Sequence, residues 1–197
     1  LAQISQLIER AAAIGVERFI LDDGWFKGRN HERAGLGDWF IDKEKHPQGL
    51  TPIIEQVLAN GMEFGLWFEP EMVNPDSDLF RAHPEWMLQV QDYSQPLGRY
   101  QYVLNLAIPE AYNYIHQCIY DLLSENKISY IKWDMNRDLV QAGGNNGQAG
   151  VHQQVLATYR LIEQLHHEFP HVEIESCASG GARADLGILR YTNRVWT

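Results

Sequence analysis

The chain alternates between segments with helical periodicity and short apolar runs that are typical of strands. Apolar residues at three- and four-residue spacing predict four main helices, over positions 1–14, 51–59, 109–125 and 151–168. Apolar runs predict strands over 16–21, 62–68, 128–133 and 172–176, and Val195 begins a fifth. Thr51 is expected to be the N-cap of the second helix, with Pro52 in its first turn.

The connections between these elements carry weaker signals. A polar stretch over 27–49 has the length of a loop that is functional or covers another part of the molecule. The irregular stretch over 73–101 contains one short predicted helix near 77–82, and a brief extended piece follows over 102–106. Glycines and asparagines over 143–147 predict a mobile loop.

Helix and strand alternate along the chain without a hairpin signal, which indicates a parallel sheet with crossover helices. Each predicted strand has polar residues at its C-terminal end, where both (β/α)₈ barrels and doubly wound sheets carry their sites. No glycine-rich phosphate turn follows an early strand, which disfavours the doubly wound sheet. The sequence therefore predicts an α/β fold, a partial (β/α)₈ barrel, as one domain over 1–197.

The predicted strand over 128–133 ends in a concentrated set of polar groups. Lys132, Asp134 and Asn136 are two residues apart, so on an extended chain they point to the same side. A cation, a carboxylate and an amide on one face would be costly in an apolar core. This spacing predicts a functional site at the end of that strand.

Composition limits the class of partner. Hydrophobic residues make up 45% of the chain, as in globular proteins. The formal net charge of −10 argues against nucleic acid, because such sites need a basic patch. No apolar run has the length of a membrane span, and the start of the chain lacks a secretion signal. The two cysteines and eight histidines show no ligand spacing, so no metal or cofactor is predicted.

Carboxylates gather at the predicted strand ends: Asp22, Asp23, Glu69, Glu71, Asp134 and Glu175. Any one of them could cap a helix or face solvent, but together they indicate one acidic rim. Four tryptophans lie nearby in sequence, with core packing as the alternative for each: Trp25, Trp67, Trp133 and Trp196. Carboxylates accept hydrogen bonds from hydroxyls, and aromatic faces stack on pyranose rings, so the combination favours a sugar site. Glycosidic cleavage also needs two carboxyl groups.

Four sequence blocks resemble the signature blocks of glycoside hydrolase family 36, the retaining α-galactosidases of microbial type. They are DDGWF at 22–26, LWFEPEM at 66–72, KWDMNR at 132–137 and SCASGG at 176–181, in family order. The resemblance implies a β-sandwich, a (β/α)₈ catalytic barrel and a C-terminal β-domain. This chain would correspond to the barrel from the helix after strand 1 to the start of strand 6, with the flanking domains absent.

The resemblance also implies roles for single residues. Asp134 corresponds to the nucleophile, which forms a covalent galactosyl intermediate. Asp22 and Asp23 correspond to the pair that binds the 4- and 6-hydroxyls of galactose. Lys132 and Asn136 correspond to ligands of ring hydroxyls beside the nucleophile, and the cation of Lys132 would help to keep Asp134 ionised.

Further positions correspond to the walls of the subsite. Trp67 matches a pocket wall, Arg99 a hydroxyl-binding arginine, and Cys177 with Gly180 the segment on the 2-hydroxyl side. In the family the acid/base aspartate follows the strand that begins here at Val195, so it is expected beyond Thr197. Because the chain also lacks an initiator methionine, it is expected to be a piece of a longer protein.

The expected activity is hydrolysis of terminal α-D-galactosyl residues from oligosaccharides such as melibiose and raffinose. The expected parent protein is a homo-oligomer of the bacterial cytoplasm that binds neither nucleic acid nor membrane and needs no cofactor. Two alternatives stay open. One is galactosyl transfer of the raffinose-synthase type, which uses the same intermediate. The other is a noncatalytic barrel fragment that lacks its acid/base residue.

Overall fold

A computed structural model describes residues 2–144 and 147–197, so the tip of the loop predicted to be mobile, at 145–146, lies outside the described residues. One parallel sheet contains five strands: β1 Arg18–Leu21, β2 Glu63–Phe68, β5 Tyr130–Trp133, β6 Glu173–Ser176 and β7 Arg194–Val195. Two further strands, β3 Met72–Val73 and β4 Tyr102–Val103, form a separate antiparallel pair.

The described residues form six helices, of which the first precedes β1 and the others lie between strands: α1 Ala2–Ala13, α2 Thr51–Ala59, α3 Asp78–Ala82, α4 Pro109–Glu125, α5 Val151–Glu168 and α6 Ile188–Tyr191. A single 3₁₀ turn, Pro84–Trp86, follows α3. The four long predicted helices are confirmed, to within two residues at each end. The predicted strands are also present, although they are one or two residues shorter than their apolar runs.

Strand order identifies the kind of sheet. Each strand pairs in parallel with the next main strand along the chain, in the order β1-β2-β5-β6-β7. A doubly wound sheet would reverse its order at a switch point, where its ligand binds. The constant direction is instead that of a barrel wall, and among the described residues β1 and β7 do not pair to close it.

The register of the sheet brings the strand ends together. Phe68 at the end of β2 pairs with Trp133 at the end of β5, and Trp133 pairs with Ser176 at the end of β6. The residues that follow these three therefore leave the sheet at the same edge. Leu21 at the end of β1 pairs with Leu66, so the chain after β1 starts two residues lower on that edge.

The long polar loop over 27–49 packs on the core rather than extending into solvent. Its Trp39 is 1% exposed and contacts an aromatic cluster with Trp25, Phe26 and Phe68 at centroid distances of 4.6–6.2 Å. Its Asp38 carboxylate accepts hydrogen bonds from the first backbone N–H groups of α3. The loop thus covers the sheet and also fixes a neighbouring helix.

One expectation about local structure is wrong, and one pair of strands was not predicted. Thr51 is not an N-cap, because α2 begins at Thr51 itself and Leu50 is its N-cap without a side-chain hydrogen bond. The chain also contains an antiparallel pair, β3 with β4, that no hairpin signal predicted. The two strands are 28 residues apart in sequence, so no short turn marks the pairing.

Candidate active site

A cavity of about 320 Å³ opens at the carboxyl ends of β1, β2 and β5. Six residues predicted for the site line it: Asp22, Asp23, Trp67, Arg99, Asp134 and Asn136. Five further residues complete the lining: Arg29, Glu32, Glu69, Tyr100 and Gln101. A larger cavity of about 530 Å³ lies between α4 and α5 and contains none of the predicted residues.

Asp134 follows β5 directly and is 7% exposed. Its Oδ2 accepts hydrogen bonds from Trp67 Nε1 at 3.1 Å and from Asn136 Nδ2 at 2.6 Å. Its Oδ1 accepts one from the backbone N–H of Met135 at 3.0 Å. Three donors from two strand ends therefore fix the plane of this carboxylate at the wall of the cavity.

Asp22 and Lys132 form an ion pair across the strand ends, with 2.9 Å between Oδ2 and Nζ. Burial alone would lower the pKa of Lys132, but the hydrogen bond and charge of Asp22 outweigh it and raise this pKa above its ordinary value. Lys132 Nζ also lies 4.7 Å from the centroid of the Trp196 ring. Lys132 therefore stays charged and positions the Asp22 carboxylate at the cavity.

Asp23 is held by a residue that the sequence reasoning missed. Arg29 donates from Nε and Nη2 to the two carboxylate oxygens of Asp23, each at 2.8 Å. The guanidinium is buried and donates further to Ala34 O and Asn74 Oδ1. A bidentate pair of this kind fixes a carboxylate more firmly than a single lysine does. The only signal for Arg29 was the length of its loop.

Arg99 reaches the cavity from an unusual turn. Gly98 and Gln101 exchange two backbone hydrogen bonds, at 2.9 and 3.3 Å, around Arg99 with φ 51° and Tyr100 with φ 60°. Positive φ at both central positions is a type I′ geometry, which favours Asn-Gly. Asn74 Nδ2 donates to the Tyr100 carbonyl at 2.8 Å and supports the turn.

Glu69 follows β2 and is 1% exposed. Its Oε1 accepts a hydrogen bond from the backbone N–H of Asn136 at 2.7 Å, and its Oε2 accepts one from Gln101 Nε2 at 3.0 Å. Burial, with the negative charge of Asp134 second, raises the pKa of Glu69 to about 7. Of the three additional strand-end glutamates, this is the one that lines the cavity.

The other two glutamates are occupied elsewhere. Glu71 accepts hydrogen bonds from Trp133 Nε1 at 3.0 Å and Thr158 Oγ1 at 2.9 Å, and it pairs with Arg183 at 2.6 Å. Glu175 accepts one from the Tyr130 hydroxyl at 2.5 Å. Both are therefore structural, and the expectation of a rim built from all six carboxylates is wrong.

Two of the four tryptophans proposed for sugar stacking are also structural. Trp25 is 1% exposed and donates from Nε1 to the Trp67 carbonyl at 2.9 Å. Trp133 is fully buried beside Glu71. Trp67 reaches the cavity wall, and Trp196 is 46% exposed beside Lys132.

Cys177 and Gly180 do not line the cavity but lie behind it. The thiol of Cys177 is close to Asp134, and burial raises its pKa to about 11, so it is a neutral thiol at physiological pH. A backbone hydrogen bond from Gly180 reaches the same sulfur. Between them, Ser179 donates from Oγ to Asn136 Oδ1 at 3.0 Å, which sets the orientation of the Asn136 amide.

Within residues 2–144 and 147–197, no group of three or more His, Cys, Asp or Glu side chains is arranged to hold a metal ion. Across the same residues, no helix is long and apolar enough to cross a membrane. The polar side chains that line the cavity are carboxylates, two guanidinium groups and amides.

A polar cavity at the carboxyl ends of parallel strands in constant order is the arrangement found in the (β/α)₈-barrel class of proteins. The family model Melibiase matches residues 1–197, and the chain belongs to this family. An α-galactosidase of Escherichia coli is 61% identical over 193 residues, which are 98% of this chain and 27% of that protein. Alpha-galactosidase C of Emericella nidulans is 42% identical over 100% of this chain and 27% of its own length.

Solved structures agree with this assignment. The glycoside hydrolase family 36 α-galactosidase AgaA of Geobacillus stearothermophilus superposes with a TM-score of 0.94 at 39% identity, covering 100% of this chain and 28% of AgaA. Structures of AgaA variants contain raffinose or stachyose. The fold is therefore confirmed as a partial barrel of this family, and the chain spans little more than a quarter of the relatives that it matches.

Proposed function

We propose that the full-length protein hydrolyses terminal non-reducing α-D-galactosyl residues of oligosaccharides such as melibiose and raffinose, by a retaining double displacement. The observation that carries the proposal is Asp134, a carboxylate whose orientation is fixed by Trp67 and Asn136 at the wall of a sugar-sized polar cavity. The family, whose relatives are named α-galactosidases, supplies the substrate class.

In the first step, Asp134 attacks the anomeric carbon, the glycosidic bond breaks, and the leaving oxygen takes a proton from an acid. In the second step, water cleaves the galactosyl ester and gives up a proton to the same group, which restores Asp134. Of the other carboxylates that line the cavity, Asp22 pairs with Lys132, Asp23 pairs with Arg29, and Glu69 accepts hydrogen bonds at both oxygens. The acid/base residue is proposed to be the aspartate expected beyond Thr197.

Sugar recognition is assigned to the paired side chains at the end of β1. Asp22 and Asp23, each held by a cation, present carboxylate oxygens that accept hydrogen bonds from the 4- and 6-hydroxyls. Arg99 and Asn136 also line the cavity and would supply donors to the sugar. An axial 4-hydroxyl distinguishes galactose from glucose, so this end of the cavity would set the preference for galactose.

The same proposal covers the organisation of the full-length protein. The chain would be the barrel from the helix after strand 1 to the start of strand 6, with family β-domains on either side. We further propose that the full-length protein is a homo-oligomer of the bacterial cytoplasm. Size-exclusion chromatography with light scattering tests the oligomeric state, and cell fractionation tests the compartment.

The decisive variant is Asp134→Asn in the full-length protein. We expect kcat on an aryl α-galactoside to fall at least about 10³-fold, because the amide cannot form the ester intermediate. A galactose-type mechanism-based inactivator followed by peptide mass spectrometry should label Asp134. Near-normal activity in Asp134→Asn, or a label on another residue, would overturn the assignment.

A further inference from the structure

Glu69 is linked to the proposed nucleophile through one residue. Its Oε1 accepts the backbone N–H of Asn136 at 2.7 Å, while the side chain of the same Asn136 donates to Asp134 at 2.6 Å. Asn136 therefore cannot move its backbone away from Glu69 without turning its amide away from Asp134. Ser179 holds the other end of that amide and leaves it little freedom.

The second oxygen of Glu69 meets a side chain that can change its hydrogen bond. Gln101 donates from Nε2 to Glu69 Oε2 at 3.0 Å, and Gln101 is 3% exposed. Within the described residues, the buried Oε1 of Gln101 has no hydrogen-bond partner. A half-turn of the Gln101 amide would aim this acceptor at Glu69, and a protonated Glu69 would donate to it. The pair can therefore hold Glu69 either charged or neutral.

We propose that Glu69 is a positioning residue that fixes Asn136 against Asp134, and that it takes up and releases a proton with Gln101 as its alternating partner. The proposal rests on the proposed function for the role of Asp134. Glu69 is not a second nucleophile or acid, because both of its oxygens are engaged in this network.

The charges around Glu69 explain why it can titrate. Asp134 faces it from β5, and its negative charge disfavours a second carboxylate. Arg99 faces Glu69 from the type I′ turn, and its positive charge favours the ionised form of Glu69. Burial opposes charge most strongly, so the pKa of Glu69 is about 7 against an ordinary value of 4.5. Glu69 is therefore neutral in acid and ionised in mild base.

The sign of the effect on stability follows from this raised pKa. The folded protein keeps the Glu69 proton up to a higher pH than the unfolded chain does. The stabilisation of the fold by this proton is therefore complete below about pH 4.5. It is lost as the pH rises through about 7. Glu69→Gln keeps the shape of the side chain and can hydrogen-bond to either the oxygen or the nitrogen of the Gln101 amide, but it cannot ionise. The melting temperature of the variant minus that of wild type should therefore increase by about 3 °C or more when the pH is raised from 5 to 8.

Glu71→Gln is the matched control, since Glu71 is equally buried two residues away but pairs with Arg183. This variant should melt below wild type at every pH tested, which is an effect of opposite sign. Parallel melting curves for wild type and Glu69→Gln across this pH range would overturn the titration of Glu69.

Kinetics at about pH 5.5 test the positioning role in the full-length protein. Glu69→Ala removes the acceptor for Asn136 and should lower kcat on an aryl α-galactoside at least tenfold, with KM changed less than threefold. Glu69→Gln keeps that acceptor and should stay within about threefold of wild type. Wild-type kcat in Glu69→Ala, or equal losses in both variants, would overturn the role. Wild type without α-galactosidase activity would instead refute the proposed function, and the melting experiment would still judge Glu69.

Discussion

Glu69 and Glu71 are two residues apart, follow the same strand and are almost equally buried, at 1% and 2% exposure. Their surroundings differ completely. Glu71 faces the packing region behind the strand ends, where Trp133, Thr158 and the cation of Arg183 surround it. Glu69 faces the cavity, where amide donors hold it and the negative charge of Asp134 opposes its ionisation.

The difference shows that burial alone does not assign a role to a carboxylate. A buried anion with a guanidinium and two donors is satisfied, and its function is to join the end of β2 to the segment after β6. A buried carboxyl group without its own cation costs free energy when it ionises, and such groups are typical of functional sites. The packing region should therefore control stability, and the cavity region should control activity.

The largest effect is expected from breaking the packing region. Glu71→Gln leaves the partly buried Arg183 without its buried counter-charge and should destabilise the full-length protein by about 3 kcal/mol. Urea unfolding followed by tryptophan fluorescence measures the loss. An unfolding free energy within 1 kcal/mol of wild type, on the scale of an exposed ion pair, would contradict the structural role of Glu71.

A smaller effect, on activity rather than stability, is expected in the cavity. Trp67→Phe removes one donor from Asp134 Oδ2 while keeping an aromatic ring, and a hydrogen bond to a carboxylate contributes about 1.5 kcal/mol or more. We expect kcat/KM on an aryl α-galactoside to fall about tenfold or more.

Trp39→Phe provides the control for that change, since Trp39 is also buried and, among the described residues, its Nε1 has no partner. It should lower stability through lost packing but leave kcat/KM within about twofold. Equal activity losses in the two variants would show that ring volume, and not the hydrogen bond to Asp134, matters at position 67.

The smallest effect is expected at the back of the cavity. Ser179→Ala removes the hydrogen bond to Asn136 Oδ1, which contributes about 1 kcal/mol, so kcat should fall about fivefold. Ser124→Ala, at an exposed position of α4, controls for the loss of a hydroxyl elsewhere. No change in kcat would mean that Glu69 alone is sufficient to hold Asn136.

Periodicity predicted much of the scaffold and one side of the site. Apolar runs located the strand ends, and the two-residue spacing after β5 placed Asp134 and Asn136 together. The same reasoning fails after β2. Beyond Phe68 the backbone no longer alternates, so nothing in the sequence could tell that Glu69 turns to the cavity and Glu71 away from it. The partners of both are at least 32 residues distant in sequence.

The same limit explains the residues that were missed or misassigned. Arg29 and Gln101 reach the cavity from irregular segments, where position is decided by tertiary contacts rather than by local pattern. Trp25 and Trp133 were predicted to stack on a sugar because they lie near carboxylates in sequence. Their indole N–H groups instead donate to partners inside the protein. A tryptophan at a strand end is compatible with both a sugar site and the protein core, so the sequence alone does not distinguish the two.

The turn that carries Arg99 has a consequence for protein engineering. Two non-glycine residues with positive φ cost on the order of 1–3 kcal/mol each, so Arg99→Asn with Tyr100→Gly is the replacement that a stability-guided redesign would select. That choice would delete the guanidinium from the cavity and the ring that stacks 4.2 Å from Arg33. Thermostable variants of this protein should be sought elsewhere in the chain, because here the unfavourable backbone and the cavity-lining guanidinium occupy the same position.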